Sequence, residues 1–373
     1  MSLTKCRRKL GHYINITPTG ILQRLWNDQS RLKQLRKAHA ANLEEEAIRL
    51  GFAHIKAGLY ISEESFNRHK EQKIRNTRLL SCMMAVNEDN QMFKLEDLIA
   101  KGVSNPKNRR NELMSQAFGF ETIANGLGHV AEFMTLNCPS RMHSRQSKSG
   151  KPNPKYDGTT PSQAQKYLTI VWSRIRAKLK RDGIEIYGFR VAEPHQDGTP
   201  HWHLLVFTDP NNIQAIRDIF SHYALEEDGN EEGALQHRFT YKPIDKSKGS
   251  AIGYIAKYIL KNIDGYAVDK DEQGFDAKNS AERVTAWASN RSIRLFQQFG
   301  GAPITIWREL RRATSAITDG ILSEAFVAAD TGNWAQFLIT LGGATQNVKT
   351  FRFNSPKQSH KKLANMAIRL PSK

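Results

Sequence analysis

The chain has 373 residues, 39% of them hydrophobic, which is enough to fill at least one sizeable core. Its 55 lysines and arginines against 37 aspartates and glutamates give a formal net charge of +18, which favours a polyanionic partner, nucleic acid first. The three cysteines form no CxxC pair and exclude a disulfide framework or zinc ribbon, and no apolar run is long enough to span a membrane. These features fit a protein of the reducing cytoplasm.

The first 127 residues are predicted to be α-helical. Apolar residues recur at helical spacing over 23–50, which predicts a long amphipathic helix. Segments 64–86 and 94–127 are also predicted to be helical, with a break at Asn105 and Pro106. The basic residues of the first helix are candidate contacts to a DNA backbone, but a solvated helix face explains them equally well.

Beyond residue 127 predicted strands alternate with predicted helices. The strands are 132–137, 184–193, 201–208 and 236–243, and the helices between them are 162–180, 210–225 and 249–262. This order favours an α+β fold, with a four- to five-stranded antiparallel sheet covered by helices on one face. The sequence thus predicts a helical N-terminal region at 1–127, a sheet-containing domain at 128–279, and a helical extension with a basic tail at 280–373.

Two histidines two residues apart in one strand carry the first chemical signal. His201 and His203 flank Trp202, and strand alternation places both imidazoles on one face, where they can share a metal ion. A hairpin brings Glu193, at the end of the preceding strand, beside His201 as a third ligand. His195, in the turn, is the competing third ligand. Such a site leaves coordination positions for a phosphate and water.

Two tyrosines one helical turn apart carry the second signal. Tyr254 and Tyr258 share a helical face with Lys257 and Lys261, while aliphatic residues supply the opposite, buried face. A phenol ionises near pH 10, so it attacks phosphorus only when positive charge stabilises the phenolate and polarises the phosphate. Nearby lysines and a bound cation can stabilise the phenolate and polarise the phosphate. A second tyrosine can then attack in turn, which passes a DNA strand between two covalent sites.

Each signal alone also has a structural explanation. An isolated HxH is more often accidental, and a tyrosine pair at this spacing more often packs in a core. Lysines on a helix most often mark a solvated face. The histidines, the glutamate and the tyrosines together favour chemistry over packing.

Three segments resemble the HUH endonuclease superfamily, and within it the replication gene A proteins of peduovirus-type temperate phages. FMTLNCPSRMH at Phe133–His143 resembles the first motif, EPHQDGTPHWHLLVF at Glu193–Phe207 the histidine motif, and KGSAIGYIAKYILKNIDG at Lys248–Gly265 the two-tyrosine motif. Their order and spacing also agree with the family, over roughly residues 128–315. Asn137 departs from it, since threonine is common there.

The resemblance implies roles for the residues of these motifs. His201 and His203 correspond to metal-binding histidines, Glu193 to the third ligand, and Tyr254 and Tyr258 to paired nucleophiles. It also implies a divalent ion, Mg or Mn, an HUH fold of the RRM-like or ferredoxin-like kind, and no small-molecule cofactor. The accompanying basic residues are Lys257 and Lys261, and the candidate DNA contacts are Arg141, His143, Arg190, His195 and Trp202.

The function that this resemblance implies is site-specific nicking of one DNA strand, which initiates rolling-circle replication of phage DNA through a covalent 5′-phosphotyrosine. The expected partners are single-stranded DNA at the replication origin and the host replicative helicase, in the bacterial cytoplasm. A transposase or relaxase of the same superfamily would use the same chemistry on other DNA. A basic DNA-binding protein without catalysis is the third alternative, and it predicts salt-sensitive binding without cleavage.

Overall fold

A computed structural model of the chain describes residues 27–87, 89–147, 149–245, 247, 249–265, 276–313, 320–345 and 367–369. The chain divides into two units, residues 1–46 and 47–373. In the first unit, the described residues from Asp28 onwards belong to the helix Asp28–Leu50. Over these residues the predicted N-terminal helix is confirmed. Most of the predicted basic tail lies outside the described residues.

A five-stranded antiparallel sheet forms the centre of the second unit. The strands are β3 Val130–Leu136, β4 Tyr187–Pro194, β5 Pro200–Thr208, β6 Phe239–Pro243 and β7 Phe296–Phe299. Their order in the sheet is β6, β3, β5, β4, β7, and every neighbouring pair is antiparallel. This confirms the predicted α+β class and strand number.

Helices flank this sheet and connect its strands. The helix Pro161–Arg181 begins at a capping box in which Thr160 and Gln163 satisfy each other's backbone N–H groups. In chain order the helices are α1 Asp28–Leu50, α2 Glu63–Ser81, α3 Leu95–Ala100, α4 Pro106–Leu127, α5 Pro161–Arg181, α6 Ile213–Leu225, α7 Ala234–His237, α8 Ala251–Ile263, α9 Ala277–Arg291, α10 Ile304–Leu310, α11 Gly320–Asp330 and α12 Trp334–Thr340.

Helices cover both faces of the sheet, not the one face that was predicted. On one face Phe120 of α4 contacts the ring of Phe189, with centroids 5.4 Å apart. On the other face the indole N–H of Trp202 donates to Gln165 of α5 at 3.0 Å. Strand β4 is consequently buried at every position, because neither of its faces meets water.

Three segments differ from their predicted secondary structure. The predicted helix 64–86 ends at Ser81, and its last residues form β1, Met84–Val86, which pairs with β2, Met92–Lys94. The helical extension predicted from residue 280 onwards is interrupted by β7, which pairs with β4. A short helix, α7, precedes β6 where a longer strand was predicted.

Strand β7 also bears on the predicted division of the chain. It pairs with β4 in the register Val191 to Phe296, so the sheet extends beyond residue 279.

Among the described residues, no helix is both long enough and apolar enough to cross a lipid bilayer.

Phe189 lies at the centre of the core and gives a test of the packing. We expect Phe189→Ala to lower the free energy of unfolding by about 3–5 kcal/mol, because its ring is 1% exposed and its removal leaves a cavity. Phe118→Ala is the matched control, since that ring is 65% exposed. Urea denaturation of both variants measures the difference, and equal losses would contradict this position of the core.

Candidate functional site

The hairpin of β4 and β5 brings a glutamate and two histidines together. The register pairs Glu193 directly with His201, and His203 lies two residues further along β5 on the same face. The Nε2 atoms of His201 and His203 are 3.0 Å apart, and Oε2 of Glu193 lies 3.5 Å from the latter and 3.9 Å from the former. All three ligand atoms fall within 4.8 Å of one another, so they can hold one metal ion.

Neighbouring side chains fix the orientation of these ligands. Nδ1 of His203 shares a hydrogen bond with the hydroxyl of Thr135 at 3.0 Å, which directs Nε2 towards Glu193. The amide of Asn262 donates to Oε1 of Glu193, and the ammonium of Lys261 lies 3.5 Å from Oε2. Helix α8 thus contacts both oxygens of the glutamate, and Oε2 also faces the two histidines.

The electrostatics of the site match the ionisation states that metal ligands require. Burial alone would raise the pKa of Glu193, but the hydrogen bond with His203 and the charge of Lys261 outweigh it and lower that pKa to about 2. Burial lowers the pKa of His201 well below its usual value, and charge on His203 and Lys261 acts in the same direction. An ionised carboxylate and a neutral imidazole are the forms that bind metals.

The Thr135 hydroxyl gives a test of this orientation. We expect Thr135→Val to weaken Mn²⁺ binding about 10- to 100-fold without unfolding the protein, since an outer partner fixes the imidazole of His203. Isothermal titration with Mn²⁺ measures the affinity. Thr208→Val, which removes a hydroxyl bonded to the Glu185 carbonyl, is the control. Equal affinities for the two variants would show that Thr135 does not position the ligand.

Helix α8 places both tyrosines on the face of the sheet that bears the histidines. Its buried residues include Ile255 and Ile259, as the aliphatic pattern predicted. The ring of Tyr258 lies 4.4 Å from the ring of His203, centroid to centroid. Tyr254 is one turn away, with the ammonium of Lys242 5.3 Å above its ring. Tyr258 is therefore the nearer phenol to the metal-binding group.

Phe133 of β3 connects these groups. Its ring stacks on His203 at 5.3 Å and on Tyr258 at 5.1 Å. The same ring lies 6.2 Å from that of Tyr254. Strand β3 thus contributes to the site both the ring of Phe133, which packs against His203 and Tyr258, and the hydroxyl of Thr135.

A cavity of about 810 Å³ opens beside the histidines, at the turn of the hairpin. His195 and His143, two candidate DNA contacts, line it together with Asn137. Nε2 of His195 is 3.2 Å from the amide oxygen of Asn137, and its ring is 4.2 Å from that of His201. Nδ1 of His143 is 3.4 Å from a carboxylate oxygen of Asp197. The structure thus groups Glu193, not His195, with the two histidines as a ligand set.

Three other candidate DNA contacts lie elsewhere. Trp202 is completely buried, so no base can stack on it, and its interpretation as a DNA contact is wrong. The guanidinium of Arg141 contacts three carboxylates, which balance its charge within the protein. Arg190 points to the opposite face of the sheet from His203 and cannot contact a strand at that histidine.

The sequence pattern alone did not identify three contacts of the ligand set. Asn262 continues the spacing of Tyr254 and Tyr258 by one more turn, which was the available signal for it. Thr135 lies on the same face of β3 as Phe133, two residues away, and pairs with His203. Only the register of the strands reveals that pairing. Lys261 was predicted to share the helical face of the tyrosines, and its contact with Glu193 was not predicted.

Known proteins resemble most of the chain. The replication gene A protein of Escherichia phage 186 is 44% identical over 332 residues, which cover 86% of this chain and 48% of the relative. The replication protein of Haemophilus phage HP1 is 41% identical over 331 residues, which cover 87% and 42%. A probable replication endonuclease from a prophage-like region of Salmonella typhimurium is 36% identical over 318 residues, which cover 80% and 39%.

The chain spans less than half the length of these three relatives. No solved structure matches it significantly. The family model of the bacteriophage replication gene A protein matches residues 7–266, which is more than half of the chain. The chain belongs to the bacteriophage replication gene A protein family.

Proposed function

We propose that the chain is a site-specific, metal-dependent single-strand DNA endonuclease and strand transferase of the HUH type, which initiates rolling-circle replication of phage DNA. The observation that carries the proposal is the ring of Tyr258 lying 4.4 Å from that of His203, a member of the metal-binding group. Relatives named as replication endonucleases support the nuclease activity. The net charge of +18 supports DNA as the partner.

Glu193, His201 and His203 would hold the metal ion. One carboxylate and two imidazoles suit Mn²⁺, and Mg²⁺ can bind through the carboxylate with waters in its remaining positions. A divalent ion bound there would polarise an oxygen of the scissile phosphate. Thr135 and Asn262 keep the ligands in place before the DNA strand arrives.

The proposed reaction is a transesterification. The phenolic oxygen of Tyr258 attacks phosphorus, the bond from phosphorus to the 3′ oxygen breaks, and the phenolic proton passes through solvent to that oxygen. The products are a 5′-phosphotyrosine and a free 3′ hydroxyl. Because one phosphate ester bond is exchanged for another, Tyr254 or the 3′ hydroxyl can attack the phosphotyrosine in turn and transfer the strand, with the oxygen of Tyr258 as the leaving group.

Covalent attachment is the direct test of this function. The full chain is incubated with a single-stranded DNA pool of random sequence, with MnCl₂ or with EDTA, and run on a denaturing gel. We expect a protein–DNA adduct with Mn²⁺ alone, and sequencing of the attached ends identifies the nick site. Salt-sensitive DNA binding without an adduct would support a non-catalytic DNA-binding protein instead.

The same experiment distinguishes an initiator from a transposase or relaxase. Names of the matched relatives, which are replication proteins, favour the initiator. We therefore expect the sequence of the attached ends to match a replication origin of phage DNA. The reaction would take place in the cytoplasm of the bacterial host. Enrichment of transposon ends would favour the alternative.

A further inference from the structure

A second basic site lies on the face of the sheet opposite the histidines. It is a cleft of about 1090 Å³ between α5 and the strands β4 and β7. Its positively charged lining residues are Arg176, Lys180, Arg190 and Arg294, and one acidic residue, Glu185, lines it among the described residues. The cleft therefore carries an excess of positive charge.

Arg190 is the buried member of this group. It is 5% exposed, one of its terminal nitrogens donates to the carbonyl of Arg294 at 3.1 Å, and its guanidinium lies 4.0 Å above the ring of Trp202. Its Nε is buried without a hydrogen-bond partner among the described residues. No described carboxylate forms an ion pair with it.

A buried charge without a counter-ion is costly, so it indicates a missing anion. Burial, together with the charge of Arg294, lowers the pKa of Arg190 to about 10, which is the direction expected when no anion stabilises the cation. The arginine still carries its charge at neutral pH. The geometry thus provides a cation at the base of an open cleft.

The charges of α5 are divided between its two sides. Arg174 pairs with Glu226, and Lys178 pairs with Asp182 at 2.8 Å; neither residue lines the cleft. Arg176 and Lys180, one turn apart, line the cleft and form no ion pair within the part of the chain that the structure describes. Arg176 and Lys180 thus place two cations without an ion-pair partner on the side of Arg190.

We propose that this cleft binds the phosphodiester backbone of DNA at a site separate from the metal-binding group. Arg190 would anchor one phosphate, and Arg176, Lys180 and Arg294 would contact its neighbours. The choice of DNA as the anion rests on the proposed function. Because the cleft and the histidines lie on opposite faces, the bound segment is distant from the nick.

The test compares two triple variants of the full chain. Arg176→Ala/Lys180→Ala/Arg294→Ala removes the exposed positive charges of the cleft, and Arg174→Ala/Lys178→Ala/Arg181→Ala removes as many positive charges from α5 outside it. Fluorescence anisotropy measures the affinity for single-stranded and duplex DNA against salt concentration. We expect the cleft variant to bind about 10-fold more weakly and its salt slope to fall by about 2 to 3, whereas the control slope falls by less than about 1.

Equal slopes for the two triple variants would overturn the proposal. The form of DNA, single-stranded or duplex, that gives the larger difference in salt slope between the two variants is the form that the cleft binds. Adduct formation by the unmodified chain in the same buffers tests the proposed function separately. If the unmodified chain forms an adduct but the two triple variants have equal salt slopes, only the DNA-binding cleft is contradicted. If the slopes differ but no adduct forms, only the nicking activity is contradicted.

Arg190→Met tests the buried anchor. Methionine fills a similar volume over Trp202 without a charge, so we expect an unchanged or higher melting temperature together with weaker DNA binding. An arginine with a purely structural role predicts the reverse, a lower melting temperature with unchanged affinity of the folded protein. Unchanged affinity in this variant would remove Arg190 from the proposed site.

Discussion

Replacing His203 with alanine is expected to slow metal-dependent adduct formation by about 1000-fold or more. His203 contacts a ligand, a positioning residue and a nucleophile: its Nε2 faces Glu193, its Nδ1 contacts Thr135, and its ring adjoins Tyr258. A bound cation contributes several kcal/mol to stabilisation of the transition state, and each 1.36 kcal/mol is about tenfold in rate. Quenched time courses on denaturing gels measure the rate.

His222→Ala is the matched control for this variant, because His222 is exposed on α6. We expect it to form the adduct at the unmodified rate. Mn²⁺ titration adds a second readout, since loss of His203 should weaken metal binding as well. A His203→Ala protein that folds and retains the full rate would contradict the assignment of the metal group.

Changing both tyrosines to phenylalanine is expected to abolish the adduct completely. Phenylalanine keeps the ring that stacks on Phe133 but removes the nucleophilic oxygen, so the fold is preserved. Of the single variants, Tyr258→Phe should cause the larger loss, because its ring lies against His203 while that of Tyr254 lies beside Lys242. Adduct yield against time ranks the two phenols.

Tyr223→Phe, on α6, controls for removal of a tyrosine hydroxyl elsewhere in the same unit. It should form the adduct normally. Persistent adduct in the double variant would mean that another group attacks phosphorus, whereas an equal loss in the two single variants would mean that the distance to His203 does not rank the tyrosines.

The hairpin was predictable because it depends on local rules. Strand alternation placed His201 and His203 on one face, and a short turn placed Glu193 opposite the first of them, as the register confirms. Helical periodicity likewise placed Tyr254 and Tyr258 together, with Ile255 and Ile259 on the buried side. Both patterns lie within a few residues of sequence.

The rest of the site depends on contacts between distant segments. Asn262 reaches Glu193 across 69 residues, and Thr135 reaches His203 across 68, so no local periodicity identifies them. Trp202 was misread for the same reason, since its burial follows from α5 covering a second face of the sheet. The edge strand β7 has only four residues and two buried positions, too few for a clear alternating pattern.

Mass spectrometry of the DNA-linked peptide identifies directly the residue that attacks the phosphate. The adduct formed with Mn²⁺ is digested with nuclease and protease, and the nucleotide-bearing residue is mapped. We expect a nucleotide joined through phosphate to Tyr258 or Tyr254 on the peptide from α8, and none when EDTA replaces Mn²⁺. A nucleotide on any other residue, or an adduct that forms equally well with EDTA, would contradict this expectation.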